Sequence, residues 1–194
     1  MTIDKKAVIF MNAPPIINDR RELARSRLFK IEEIELTFSN GNKRIYECVG
    51  PTAIMHRAVL IVPLLDDDTI ILVKEYSVGI EDYTLSFPKG SLFADEDLFE
   101  AADRELMEEV GYTAKNYTFL KDVYLSPNYM KHHISIVKAE NLSPKRLDGD
   151  EPEPLEVVSY KLKDIDHLIE HPAFIECRSF AALFLIWRQW IGSE

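Results

Sequence analysis

The order of the predicted elements indicates an α+β fold, in which a mixed β-sheet is sandwiched between helices in an α/β/α arrangement. Strand-like apolar patterns occupy most of the chain, and two clear helical patterns, at 97–110 and 180–191, interrupt and close them. Strands and helices in this order are typical of a layered sandwich. Residues 1–50 form a β-rich N-terminal extension with a hairpin, and residues 51–194 form the main domain.

The composition is that of an ordinary globular chain, with 194 residues, 46% hydrophobic and 29% charged. Residues 1–12 lack the pattern of a secretion signal, and no apolar run reaches the roughly 18 residues of a membrane span. We therefore expect a cytoplasmic protein with no membrane partner. The formal charge of −10 disfavours nucleic acid, whose phosphates would be repelled. Bound cations could still make an acidic pocket attractive to a small anion.

The N-terminal extension is predicted to contain one hairpin. Residues 1–27 are polar, and Pro14-Pro15 exclude a long helix. From Phe29 to Phe38 apolar and polar residues alternate, with a slip at Glu32-Glu33 that suggests a β-bulge. After a turn, residues 44–48 run back as the second strand.

The main domain begins with a second pair of strands. Residues 58–65 form a nearly continuous apolar run, as a strand buried on both faces does. Asp66-Asp67-Asp68 is predicted to be a turn, because it lacks the glycine and distant glutamate of a calcium loop. Residues 69–73 form the returning strand. Later strands are predicted at 85–87, 118–124, 134–139 and 156–161.

The helix at 97–110 has clear end signals. Asp97 followed by Glu100 resembles a capping box, and Gly111 is a typical helix stop. Its apolar stripe comprises Leu98, Ala102, Leu106 and Val110. A short helix is predicted at 165–170, and the helix at 180–191 is apolar nearly all round, which favours a packed position.

Three glutamates lie on one face of the first helix, since Glu105, Glu108 and Glu109 are three and four residues apart. Like charges this close repel one another, and more strongly near a core. Arg104 can offset part of that repulsion, and hard cations such as Mg²⁺, which prefer carboxylate oxygens, can offset the rest. The alternative is a solvated acidic face with surface ion pairs, which is the usual meaning of a charge run.

The spacing around these glutamates matches a known signature. Gly90 is followed after five residues by Glu96, and after seven more by the segment Arg104-Glu105-Leu106-Met107-Glu108-Glu109-Val110-Gly111-Tyr112. This resembles the Nudix signature G-x5-E-x7-R-E-U-x-E-E-x-G-U, where U is aliphatic. All seven fixed residues match, and Tyr112 is the one departure. Similarity to the NudE-type branch comes from Ser26-Arg27-Leu28-Phe29, Phe38-Ser39-Asn40-Gly41, Lys89-Gly90, Glu100-Ala101-Ala102 and Gly149-Asp150-Glu151-Pro152-Glu153-Pro154.

The resemblance implies a Nudix fold, a homodimer formed through the N-terminal extension, and a metal-dependent hydrolase. Its substrates would be ADP-containing nucleotides such as ADP-ribose, diadenosine polyphosphates and NADH, cleaved at the pyrophosphate to release AMP. Two or three Mg²⁺ ions, or Mn²⁺, would bind Glu105, Glu108 and Glu109 with help from the Gly90 carbonyl. Glu96 and Arg104 would then support the site structurally.

The general base is left open at this point. In similar ADP-ribose-cleaving enzymes a loop glutamate activates water, which implies Glu151 or Glu153, whereas other family branches imply Glu105. A solvated acidic loop is the alternative for 148–154, because surface loops commonly carry charge.

Substrate contacts are implied by two further positions. Pro127 lies sixteen residues past Gly111 and Tyr129 lies two beyond it, as in relatives that cleave ADP-ribose and dinucleoside polyphosphates respectively, although a plain turn explains both. Arg57 and Lys89 are candidate phosphate or base contacts. Two other functions stay open: a hydrolase of another nucleoside diphosphate derivative such as a nucleotide sugar, and a non-catalytic nucleotide sensor. The intact charged positions of the signature argue against the sensor.

Overall fold

The computed structural model describes residues 13–52 and 57–192. The prediction that the chain has no secretion signal concerns residues 1–12, which lie outside the described residues. Within the described residues, no helix is long and apolar enough to cross a bilayer. The described residues divide into two compact units: unit 1 contains residues 13–52 and 128–131, and unit 2 contains residues 57–127 and 132–192.

Unit 1 is built on a three-stranded antiparallel sheet of β1 (Ile16–Arg25), β2 (Phe29–Thr37) and β3 (Lys43–Pro51), in that order. The predicted hairpin is confirmed as β2 and β3. Strand β1 (Ile16–Arg25) was not predicted, because all its residues are exposed and no apolar alternation marks it. The bulge predicted at Glu32-Glu33 is wrong: β2 pairs with β3 without interruption, and the register shifts lie between β1 and β2.

A short segment from the second half of the chain completes unit 1. The backbone N–H of Val49 donates to the carbonyl of Tyr129 at 2.7 Å, and that of Lys131 donates to the carbonyl of Val49 at 2.9 Å. Glu32 is 5% exposed and pairs with Lys131 and, at 3.2 Å, with Lys30. The lysine contacts lower the pKa of Glu32 although burial opposes them, so this buried charge is compensated.

Unit 2 contains a mixed seven-stranded sheet. Its strands are β4 (Ala58–Asp66), β5 (Thr69–Ser77), β6 (Asp82–Ser86), β7 (Lys89–Ser91), β8 (Tyr112–Tyr124), β9 (His133–Pro144) and β10 (Glu156–Lys161). The main path of the sheet is β10-β5-β4-β9-β8, with β6 paired to β5 and β7 to β4. The pairing of β4 with β9 is parallel and the others are antiparallel. Strand β7 was not predicted. The helices are α1 (Leu98–Glu105), α2 (Ile165–Ile169) and α3 (Cys177–Ile191).

Both faces of this sheet are buried, which confirms the predicted sandwich. Leu60 and Val62 of β4 pack in a cluster with residues of α2 and α3. Val59 and Ile61 point to the opposite face and pack in a cluster with α1. Because successive strand residues face opposite sides, burial on both faces explains the continuous apolar run of β4.

The packed C-terminal helix predicted from the sequence is present as α3, and one of its faces packs on the sheet. Its N-cap is Glu176, whose carboxylate accepts from the N–H of Ser179 at 2.8 Å. Leu183 and Ile186 are buried against the sheet, whereas Phe184 is 57% exposed. The all-round apolar sequence therefore includes one solvent-facing stripe.

Candidate active site

The signature helix changes its winding in the middle of the glutamate cluster. Helix α1 begins after the N-cap Asp97, whose carboxylate accepts from the N–H of Phe99 at 2.8 Å. After Glu105 the chain forms a π-helical turn, Leu106–Val110, instead of the regular helix predicted. Gly111 ends it with φ 85°, a conformation that glycine adopts without strain. Single π turns are frequent at functional sites, and this one carries Glu108 and Glu109.

Two of the three glutamates are buried. Glu105 is 9% exposed and Glu109 is 6% exposed, while Glu108 is half-buried. Burial raises the pKa of Glu109 to about 8, although Lys89 acts in the opposite direction. Burial also raises the pKa of Glu105, with Arg104 opposing it. Ionisation of the Glu105 and Glu109 carboxyl groups therefore costs free energy unless a cation lies nearby.

Arg104 is the centre of the ion-pair network around the helix. Its Nε and Nη2 donate to the two carboxylate oxygens of Glu96 at 2.8 and 3.0 Å. Its Nη1 donates to Glu105 at 2.7 Å and to Glu108 at 3.0 Å. Nη2 also donates to the Ser91 carbonyl at 2.9 Å. The guanidinium thus joins the loop before α1, strand β7 and the glutamate face.

Replacing Arg104 by Ala is expected to destabilise the fold by about 3 kcal/mol, because it leaves largely buried carboxylates unpaired. The Arg104 side chain is 19% exposed and that of Glu96 is 12% exposed. Urea denaturation followed by circular dichroism measures the loss. Arg188→Ala, at an exposed position of α3, is the matched control and should change stability by less than about 0.5 kcal/mol. Equal stability of the two variants would contradict the bracing role.

Strand β7 places Lys89 and Gly90 directly against the helix. The backbone N–H of Lys89 donates to Glu109 Oε2 at 3.1 Å, and its ammonium pairs with Glu75 at 2.5 Å. Gly90 lies so close to Glu105 that a Cβ at this position would overlap the Glu105 carboxylate. Only glycine leaves room for that carboxylate here.

The glutamate face opens into a cavity of about 290 Å³ together with the acidic loop predicted at 148–154. Glu105, Glu108 and Glu109 line it from the helix, and Glu151 and Glu153 line it from the loop. The structure therefore brings together all five glutamates that the sequence analysis singled out for metal binding or catalysis.

The donor set fits divalent cations chemically. Carboxylate oxygens are the preferred ligands of hard divalent ions, and the atoms nearest to the position of a Cβ at Gly90 are those of the Glu105 carboxylate. Arg104 holds Glu105 and Glu108 in this conformation. Among the described residues, no three His, Cys, Asp or Glu side chains converge as a ready metal cage. Ion binding would therefore require carboxylates of the cluster to move closer together.

The remaining predicted site residues are Arg57, Lys89, Pro127 and Tyr129. Arg57 is exposed, and its guanidinium donates to the Glu96 carbonyl at 3.4 Å. Pro127 is an exposed residue of unit 2, and Tyr129 is a 67% exposed residue of unit 1. Arg57 and Pro127 are not among the described residues that line the glutamate cavity. Lys89 contributes through its backbone and its ion pair with Glu75.

The sequence analysis missed several residues of the site. Glu75 pairs with Lys89, Tyr83 donates to Glu153 at 2.6 Å, and Asp150 and Arg146 line the cavity. Asp150 could have been found from its place in the acidic loop. Glu75 and Tyr83 carry no local signal, because only the pairing of β5 with β6 and the return of the loop bring them to the site.

Comparisons with known proteins agree with this geometry. Residues 15–47 match the NudE-type Nudix hydrolase N-terminal domain, and residues 55–177 match the NUDIX domain. The chain is 47% identical to the ADP compounds hydrolase NudE of Escherichia coli, over 93% of this chain and 95% of that protein. It is 29% identical to the ADP-ribose pyrophosphatase of Bacillus subtilis, over 85% and 91% respectively.

A solved structure gives the same result. The crystal structure of an ADP compounds hydrolase superposes with a TM-score of 0.84 at 46% sequence identity, and covers 93% of this chain and 96% of that chain. The same family is indicated by both matched domains, by the two nearly full-length relatives and by the shared fold. The chain belongs to the Nudix hydrolase family, in its NudE-type branch.

Proposed function

We propose that this chain is a metal-dependent pyrophosphohydrolase of ADP-containing nucleotides: ADP-ribose, diadenosine polyphosphates and NADH. The proposal rests on the cavity that combines three helix glutamates with two loop glutamates. The names of the relatives, an ADP compounds hydrolase and an ADP-ribose pyrophosphatase, support this substrate class. The intact signature supports an active enzyme over the alternative of a nucleotide sensor.

Glu105, Glu108 and Glu109 would hold the ions. Nudix hydrolases in general need divalent metal ions, and we propose two or three Mg²⁺, with Mn²⁺ as a substitute. When bound, such ions neutralise diphosphate oxygens and increase the acidity of water. Gly90 leaves space for the Glu105 carboxylate. Arg104, braced by Glu96, orients Glu105 and Glu108.

A glutamate of the cavity would accept the proton of the attacking water. Glu151 and Glu153 lie across the cavity from the helix, and Glu105 is the third candidate. Partial burial and the charges of Glu75 and Asp150 raise the pKa of Glu151, which makes it a stronger base than an exposed glutamate. Cleavage of ADP-ribose would then give AMP and ribose 5-phosphate.

Product analysis by chromatography tests the substrate class. The protein is incubated with Mg²⁺ and, separately, with ADP-ribose, NADH, diadenosine tetraphosphate and a nucleotide sugar without adenine. We expect AMP from the three adenine nucleotides. Turnover of only the nucleotide sugar would support the rival substrate class, and turnover of none of the four would contradict the proposed activity.

We also propose that unit 1 mediates a homodimer. Its sheet exposes large apolar side chains, among them Ile16 at 68%, Ile17 at 54% and Ile45 at 63%, as surfaces that bind protein partners often do. Light scattering should give twice the 22.4 kDa mass of one chain. Ile45→Asp should shift this mass toward a monomer, whereas the control Val78→Asp, at an 82% exposed position of unit 2, should not. A monomeric wild type would reject the dimer.

A further inference from the structure

The two glutamates of the acidic loop have different surroundings, although both line the cavity. Glu153 accepts a 2.6 Å hydrogen bond from the hydroxyl of Tyr83 on β6. Glu151 makes no hydrogen bond or ion pair with any residue that the structure describes. Glu153 is thus committed to a contact within the protein, whereas Glu151 is available to a ligand in the cavity.

Tyr83 is itself held in place by the sheet. The ring of Tyr76, opposite it on β5, meets it edge-on with centroids 5.4 Å apart. The ammonium of Lys74 lies 5.3 Å from the Tyr83 ring centroid and pairs with Glu156, just after the loop, at 3.0 Å. These contacts hold the ring against the sheet, so its hydroxyl is a hydrogen-bond donor at a fixed position next to the loop.

The other end of the loop is fastened to the signature helix. The N–H of Leu147 donates to the Met107 carbonyl at 3.2 Å, and that of Lys145 donates to the Gly111 carbonyl at 3.0 Å. Between this end and Glu153, residues 148–152 make no backbone hydrogen bond to other described residues. Segments with so few hydrogen bonds open at low free-energy cost. The bond from Tyr83 to Glu153 is a side-chain hydrogen bond that restrains this segment against the sheet.

We propose that Tyr83 is a positioning residue, which latches the loop through Glu153 and thereby holds Glu151 over the three helix glutamates. This inference rests on the proposed function and deepens it. It assigns Glu153 the role of a hydrogen-bond acceptor, and it leaves Glu151 to act on the substrate water. Catalytic groups on loops need such support from neighbouring side chains to keep a productive geometry.

Three variants separate the latch from the chemistry. Tyr83→Phe removes the donor, Glu153→Ala removes the acceptor, and Glu153→Gln removes the charge but keeps an oxygen that can accept the bond. Tyr124→Phe is the matched control, since Tyr124 is 60% exposed and its hydroxyl bonds no described residue. Amide hydrogen exchange of Lys145 and Leu147, the hydrogen-bonded amides at the start of the loop, is measured without substrate and reports how often the loop opens.

We expect Tyr83→Phe and Glu153→Ala to accelerate exchange in the loop about tenfold, the effect of losing one hydrogen bond of average strength. Glu153→Gln and Tyr124→Phe should exchange like the wild type. With ADP-ribose as the probe, kcat should fall about tenfold in Tyr83→Phe and Glu153→Ala, with KM nearly unchanged. The double variant should lose no more than either single variant, because both remove the same contact.

Glu151→Gln completes the test, with an expected loss of at least about 100-fold in kcat and unchanged loop exchange, as for the removal of a general base. Loop exchange in Tyr83→Phe equal to that of the wild type would overturn the latch. A loss in Glu153→Gln as large as that in Glu151→Gln would overturn it as well. If the wild type fails to cleave ADP-ribose, the proposed substrate class fails, while the exchange comparison still decides whether the latch exists.

Discussion

Replacing Glu109 by Gln is expected to reduce kcat by at least about 1,000-fold while the fold stays intact. A metal ligand contributes several kcal/mol of charge stabilisation in the transition state, and each 1.4 kcal/mol is a factor of about ten in rate. Glu108→Gln should behave in the same way. Steady-state kinetics with ADP-ribose and Mg²⁺ measure the loss, and circular dichroism checks the fold.

Glu100→Gln is the matched control, because Glu100 lies on an exposed face in the first turn of the same helix. It should keep near-wild-type turnover. Near-wild-type turnover in Glu109→Gln or Glu108→Gln would contradict their assignment as metal ligands.

Glu109→Gln should also be more stable than the wild type in alkaline buffer that contains a chelator. The pKa of Glu109 is about 8 in the folded protein against an ordinary 4.5, because the carboxyl is buried. Between these pH values the folded state binds more protons than the unfolded state, so its stability falls as the pH rises through about 8. The shift corresponds to at most about 5 kcal/mol.

Chemical denaturation at pH 5 and pH 9 tests whether the stability of the folded protein falls as the pH rises. The wild type should lose stability between the two, Glu109→Gln should lose much less, and added Mg²⁺ should restore the wild type at pH 9 but not the variant. An identical pH dependence of the two proteins would show that Glu109 does not carry the buried charge.

Replacing Gly90 by Ala is the second change with a large expected effect. The added Cβ would overlap the Glu105 carboxylate, which must then swing away from the helix face and from Arg104. Because the overlapping atoms are the end of a flexible side chain, stability should change by less than about 1.5 kcal/mol. The activity should fall at least about 100-fold, since misplaced catalytic groups lose rate steeply.

Gly79→Ala is the matched control, since a Cβ at Gly79 would meet no atom within 4 Å. It should retain wild-type activity. Titration with Mn²⁺ followed by electron paramagnetic resonance adds a readout besides turnover, and Gly90→Ala should bind the ion more weakly. Unchanged ion binding and activity would remove Gly90 and Glu105 from the metal site.

Much of the fold could be predicted because its signals are local. The β2–β3 hairpin, the two-faced burial of β4, the start of α1 and the stop at Gly111 depend on alternation, capping and glycine within a few residues. Strand β1 could not be found in this way, since all its residues are exposed. It forms because β2 offers a free edge, and one sequence segment does not reveal its pairing partner.

The family, the three helix glutamates and the acidic loop can be recognised from the amino-acid order alone, because their spacing is a property of neighbouring residues. The assembly of the site, in contrast, depends on the packing of the folded chain. The π turn under Glu108 and Glu109, the fit of Glu105 against Gly90, and the bond from Tyr83 to Glu153 across 70 positions of the chain all depend on which distant segments pack together. Such contacts form only once the two-sided core has fixed the strands and the helix around it, and no local pattern specifies them.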